Sequence, residues 1–131
     1  MGFTYVKVRL HNPADLAQSD EIELLVDTGA VFSSIPRAIL EKIGLRPIER
    51  RKLRVYEGAV VKRDVGGLVF EYGGNLAMAP TVFGESKDTS VLGATALEAL
   101  GYQVDPVTKQ LKPAELLMIQ HCEDLLEIRR S

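Results

Sequence analysis

Short strand-like runs separated by turn residues recur along most of this chain, and that spacing limits its fold more than any other feature. "FTYVKVRL" sets Thr4, Val6, Val8 and Leu10 on one side of a half-buried strand. "HNPADLAQSD" has turn chemistry, and "EIELLV" is a second strand that runs into Asp27. "KLRVYEGAVVKRDV" reads as two strands about Glu57-Gly58, and "LVFEYGGNLAMA" as a hairpin turning on Gly73-Gly74. "PTVFG" is a further short strand, and "YQVDPVTKQLKP" a last hairpin that Asp105-Pro106 opens. Helix is minor. "RAILEKIG" follows Pro36 and stops at Gly44, while "SVLGATALEALG" is an apolar strand that breaks at Gly93 into a short helix ending at Gly101. Strands this short and this closely spaced predict an all-β barrel or sandwich.

The C-terminal stretch differs. "AELLMIQHCEDLLEIRR" lines up Leu116, Ile119, Cys122 and Leu126 on roughly one face with acids on the other, the pattern of an amphipathic helix. The expected division is therefore a β domain over 1–113 and a helical extension over 114–131.

Bulk properties exclude several classes. At 131 residues, 46% apolar and 26% charged, the chain suits one soluble globular domain with a real core. A net charge of −2 with interspersed signs predicts no nucleic-acid partner. The one dense basic run, "ERRKLR", reads as the solvated start of a strand. No apolar run is long enough to span a bilayer, and "MGFTYVKVRL" lacks the apolar region of a signal peptide, so no membrane partner is expected. The single cysteine, Cys122, allows neither an internal disulfide nor a cysteine-rich zinc site. A cytoplasmic location is the expectation.

The chemistry concentrates at "LLVDTGAVFSSIP", where an apolar strand ends on a carboxylate. A carboxylate at the rim of a core costs stability unless it is partnered, so Asp27 either caps a turn or does chemistry. "SVLGATAL" shares the design, with Gly93 at the position equivalent to Asp27. His11 follows a strand and belongs to a surface loop. His121, Cys122, Glu123 and Asp124 point different ways around a helix, so no metal site is expected. Ser33 and Ser34 have no basic partner in motif spacing and are assigned no nucleophilic role.

Taken together, "LLVDTGA", the later "VLG", the "VDPVTKQL" hairpin and "RVYEGAVVKRDVG" resemble the retropepsin-like family of aspartic proteases over about residues 3 to 113. The resemblance implies a closed retropepsin-like β-barrel with one or two short helices. It implies Asp27 as the catalytic acid, with Thr28, Gly29, Ala30 and Gly93 supporting the active-site loop. Gly29 allows the tight turn, Thr28 supplies a hydroxyl for a partner loop, and Gly93 leaves room behind the loop. Tyr56, Glu57, Gly58 and Ala59 are the candidate tip of a flap over an extended substrate. One Asp-Thr-Gly supplies one carboxylate, so the implied enzyme is a homodimer that shares its cleft across a two-fold axis. Paired carboxylates sharing a proton are the known chemistry of aspartic proteases. Two like charges about 4 Å apart repel by about 4 kcal/mol at an effective dielectric near 20, so such a pair holds one proton over a mildly acidic range. The implied reaction is peptide-bond hydrolysis by an Asp-activated water, with no metal and no organic cofactor. The sequence departs from retroviral members, which carry acids after the triplet and a basic residue after the later glycine. Here Val31 and Phe32 follow Ala30, and Ala94 and Thr95 follow Gly93. The alternative is therefore a catalytically silent binding or assembly module on the same fold.

Overall fold

The computed structural model of the chain describes residues 3–55 and 58–116. In β1 (Tyr5–Asn12) Val6, Val8 and Leu10 are buried while Tyr5, Lys7 and Arg9 are exposed, the alternation of a strand covered on one face. Asn12 closes the turn that follows. Its Oδ1 accepts the Ala14 amide N–H at 2.8 Å, and its Nδ2 donates to the Ile43 carbonyl at 3.0 Å. The chain returns as β2 (Asp15–Val26), antiparallel to β1 from Asn12↔Asp15 to Tyr5↔Leu25, with a register shift between His11 and Asn12. Of residues 11–20, expected as turn, 11–12, with His11, and 15–20 are therefore strand. The Asn12 side chain completes the reversal early, and pairing with β1 then outweighs local propensity.

β3 (Ser33–Pro36) was not expected from the sequence, being only four residues long. It leads into α1 (Arg37–Lys42), which buries Leu40 and is followed by Gly44 at φ 79. β4 (Glu49–Arg54) and β5 (Val60–Tyr72) form an antiparallel hairpin. β5 turns at Gly73 and Gly74, both at positive φ, into β6 (Asn75–Gly84). β6 runs unbroken through Pro80, which faces Gly67 one residue before the pairing with β3 begins, so "PTVFG" is the end of a longer strand. β7 (Val91–Leu92), α2 (Ala94–Leu100), β8 (Tyr102–Val104) and β9 (Leu111–Pro113) complete the described fold. Gly101, at φ 82, ends α2 as a left-handed cap.

Among the described residues, seven strands form one sheet in the order β1-β2-β7-β3-β6-β5-β4, and β8 pairs with β9. β5 also pairs with β1 through Arg9↔Glu71, Leu10↔Phe70 and His11↔Val69. Two contacts are parallel, β2 with β7 and β3 with β6. The sheet wraps a core in which Leu10, Leu24, Ile35, Phe70, Phe83 and Leu92 are fully buried, and α2 adds Leu97 and Leu100. No helix among the described residues is long and apolar enough to cross a membrane. The expected C-terminal helix falls, from residue 117 on, outside the described residues.

Candidate active site

β2 delivers Asp27 between two neighbours. Val26 donates its N–H to the Thr4 carbonyl at 2.8 Å, and Asp27 donates its N–H to the Leu92 carbonyl of parallel β7 at 3.0 Å. The strand ends there because the next residues turn. The Asp27 carbonyl accepts the Ala30 N–H at 3.1 Å, and Asp27 Oδ1 accepts the Gly29 N–H at 3.0 Å. One carboxylate oxygen thus caps the turn and orients the group. The turn-forming role and a chemical role are therefore compatible in one residue. Asp27 and Ala30 are half-buried, while Thr28 and Gly29 are exposed. A Cβ on Gly29 would stand 3.2 Å from Asp27 Oδ1 and crowd the acceptor.

The second turn locks onto the first from behind. Ala94 donates its N–H to the Ala30 carbonyl at 2.7 Å, and Thr95 donates to the Val31 carbonyl at 3.1 Å. Gly93 is buried, and its φ of −86 and ψ of 173 are open to any residue. Space, not conformation, requires glycine: a Cβ there would lie 2.5 Å from the Phe32 carbonyl carbon and 2.8 Å from the Ser33 nitrogen. Ser33, fully buried, accepts the Gly93 N–H on its Oγ at 2.9 Å, so its hydroxyl is a structural strut. Thr81, also fully buried, reaches the Ser33 carbonyl from β6 with its hydroxyl at 3.4 Å. Neither residue carries a sequence signal for this role, since the partners are 60 and 48 residues away.

The β4–β5 hairpin places Gly58 and Ala59 at its tip, with Gly58 at φ 83 and the Val55 N–H bonded to the Ala59 carbonyl at 2.9 Å. Tyr56 and Glu57 lie outside the described residues. The hairpin meets the loop that follows Asp27 where the Arg51 guanidinium lies 5.3 Å from the centroid of the Phe32 ring. Arg63 of β5 grips Asp88 with two bonds, Nε to Oδ2 at 2.7 Å and Nη2 to Oδ1 at 2.9 Å. This ties the hairpin to the loop that leads into β7. The Arg63 guanidinium, helped by the Glu85 amide, holds the Asp88 carboxyl below the ordinary carboxylate range, and Asp88 raises Arg63 in turn. At the base of the hairpin Asp64 bridges Arg37 of α1 and Arg50 of β4, and hydrogen bonding from Arg37 first, then Arg50, lowers the Asp64 carboxyl.

Other candidates sit apart from this assembly. His11 bonds Glu71 through Nε2 at 2.7 Å and the Leu16 carbonyl through Nδ1 at 2.8 Å. Asp105 Oδ1 accepts the Val107 and Thr108 amides, which lower its carboxyl and mark it as a turn residue. No group of three or more metal-ligating side chains occurs among the described residues. His121 and Cys122 lie outside them.

A seven-stranded sheet with an Asp-Thr-Gly turn held against a glycine turn, and a hairpin that meets the loop after the first, is the retropepsin-like fold. No protein-family model matches the chain, and no curated protein matches it in sequence. Among solved structures it is similar to a retropepsin-like aspartic protease from Rickettsia conorii, at 23% identity and a TM-score of 0.52 over 79% of this chain and 77% of that one. It is also similar to a foamy viral protease-reverse transcriptase solved in complex with an RNA/DNA hybrid, at 17% identity and a TM-score of 0.51. That match covers 94% of this chain but 14% of the viral one. A match to the simian foamy virus protease has 20% identity and a TM-score of 0.47, over 71% of this chain and 92% of that one. The resemblance drawn from the sequence is borne out at the level of the fold.

Proposed function

We propose that the chain is an aspartic-type endopeptidase that acts as a homodimer on extended peptides. The observation that carries the reading is the Asp27 turn. A half-buried carboxylate, oriented by the Gly29 amide, stands at the end of a strand and is braced from behind by the Gly93 turn. In a dimer the partner's Asp27 would face it across the two-fold axis, and the pair would hold one water. The ionised Asp27 takes a proton as that water attacks the peptide carbonyl. The protonated one stabilises the developing oxyanion and then gives its proton to the leaving amine nitrogen as the C–N bond breaks. Exposed Thr28 would bond the partner's loop, and the β4–β5 hairpin, with Tyr56, Glu57, Gly58 and Ala59 as its candidate tip, would cover substrate and pair with its backbone. The reaction calls for no cofactor. The pairing of β5 with β1 supports a sheet closed into a barrel. We take 1–113 as the protease domain, 114–131 as its extension, and the cytoplasm as its site of action.

The test is hydrolysis of an unfolded protein at mildly acidic pH. An asparagine at position 27 can still accept the Gly29 N–H, so Asp27→Asn preserves the turn and removes only the acid. Turnover that survives the substitution refutes the mechanism. The second reading is a silent binding module. It is favoured by Val31, Phe32, Ala94 and Thr95 standing where retroviral members carry a charged brace. A dimer that captures peptides and cleaves none would establish it.

A further inference from the structure

We propose that Arg51 selects substrates bearing a carboxylate side chain, Asp or Glu, where an extended peptide passes Phe32, so that the cleft reads acidic peptides. The inference rests on the reading above only in taking the space between the Asp27 turn and the β4–β5 hairpin as the path of a peptide.

The hairpin is charged out of proportion to the chain. Residues 49–64 hold six of the sixteen basic side chains against three acids, in a protein of net charge −2. Its register sets Arg51 opposite Arg63 and Lys52 opposite Lys62. Like charges directly opposite each other weaken a strand pair, so the stability of the hairpin does not account for them.

The neighbours sort these cations by role. Arg63 is neutralised by Asp88, Arg50 by Asp64, and Arg54 donates to the Gly58 carbonyl at 2.9 Å. Lys52 and Lys62 share the outer face. Because β4 ends the order of the sheet among the described residues, Lys52 guards an open edge. Arg51 lies on the opposite face, its guanidinium 5.3 Å from the centroid of the ring of Phe32, five residues past Asp27. Among the described residues its acidic contact is Glu49, 3.5 Å away on the same strand, with both side chains half exposed at 50% and 52%. Such a surface pair is weak and easily exchanged. A guanidinium held over a ring keeps its N–H groups at the side, where a carboxylate that displaces Glu49 can take two bonds. Among the described residues Arg51 is thus a cation held beside the Phe32 ring with no strong acid of its own.

The test uses the full chain carrying Asp27→Asn, so that peptides bind without turnover. Fluorescein-labelled extended peptides, identical except for Glu or Gln at one position scanned along the sequence, are titrated by anisotropy. The expected result is a position, or a symmetric pair of positions, at which Glu binds about fivefold tighter than Gln, the upper end for a partly exposed pair. Arg51→Gln brings the ratio close to one, Lys52→Gln leaves it unchanged, and 0.5 M salt shrinks it. The proposal is overturned if no position prefers Glu, if no peptide binds, if the preference survives Arg51→Gln, or if Lys52→Gln abolishes it equally. Hydrolysis by the chain with Asp27 intact is scored separately. A Glu preference without cleavage would refute the protease reading and support this one, and cleavage without the preference would do the reverse.

Discussion

Replacing Gly93 with alanine adds one methyl group to the molecule and should destabilise it strongly. The methyl would lie 2.5 Å from the Phe32 carbonyl carbon, 2.6 Å from its oxygen and 2.8 Å from the Ser33 nitrogen. All three are backbone atoms of the loop that follows Asp27, so no side-chain rotation relieves the overlap. Overpacking of this kind costs about 1–3 kcal/mol, and rigid neighbours place it at the upper end. Moving the loop away also breaks the buried bond from the Gly93 N–H to Ser33 Oγ, a further loss of about 1 kcal/mol. The sum is about 3–4 kcal/mol, which at a urea m-value of about 2 kcal/mol/M lowers the unfolding midpoint by about 1.5–2 M. Urea titration at fixed protein concentration measures the shift. Gly67→Ala is the control, because a Cβ there meets nothing within 4 Å, and its midpoint should stay within about 0.3 M of wild type. A Gly93→Ala chain that unfolds at the wild-type midpoint with an unchanged m-value would refute the claim that space behind the Asp27 loop selects glycine.

Ser33→Ala removes the acceptor of the buried Gly93 N–H and should cost about 1–2 kcal/mol, read from the same titration. Arg63→Met breaks both bonds to Asp88 and should cost about 1–2 kcal/mol near neutral pH, since hydrogen bonds to charged groups are the stronger kind. Because Asp88 and Asp64 titrate lower folded than unfolded, their stabilisation is complete above the unfolded value of about 3.9 and fades as pH falls through the folded value. Wild-type stability should therefore hold through pH 5 and drop below about 4, and Arg63→Met should flatten the part of that drop due to Asp88. Gly73→Ala, at φ 59 and against the Tyr102 hydroxyl, should destabilise by about 1–3 kcal/mol and show it in thermal unfolding.

Local patterns were legible in the amino-acid order wherever the cause was local. The alternation of Val6, Val8 and Leu10 announced β1. Gly73-Gly74 announced a turn needing two positive φ values, and Gly44 and Gly101 marked where helices stop. The apolar run into Asp-Thr-Gly singled out the candidate site, because a carboxylate at the rim of a core is costly without a partner. Tertiary structure decided the rest. Residues 16–20 became strand only because β1 lies beside them, and β3 exists because β6 and β7 hold four residues extended on either side. Ser33 became a strut because Gly93, 60 residues away, offers it an N–H. The same glycine is required by a backbone contact that no window of neighbouring residues contains. Periodicity and turn chemistry act over a few residues and can be read along the chain. Sheet order, buried hydrogen bonds and excluded volume arise between distant segments, and they take their values only when the core brings those segments together.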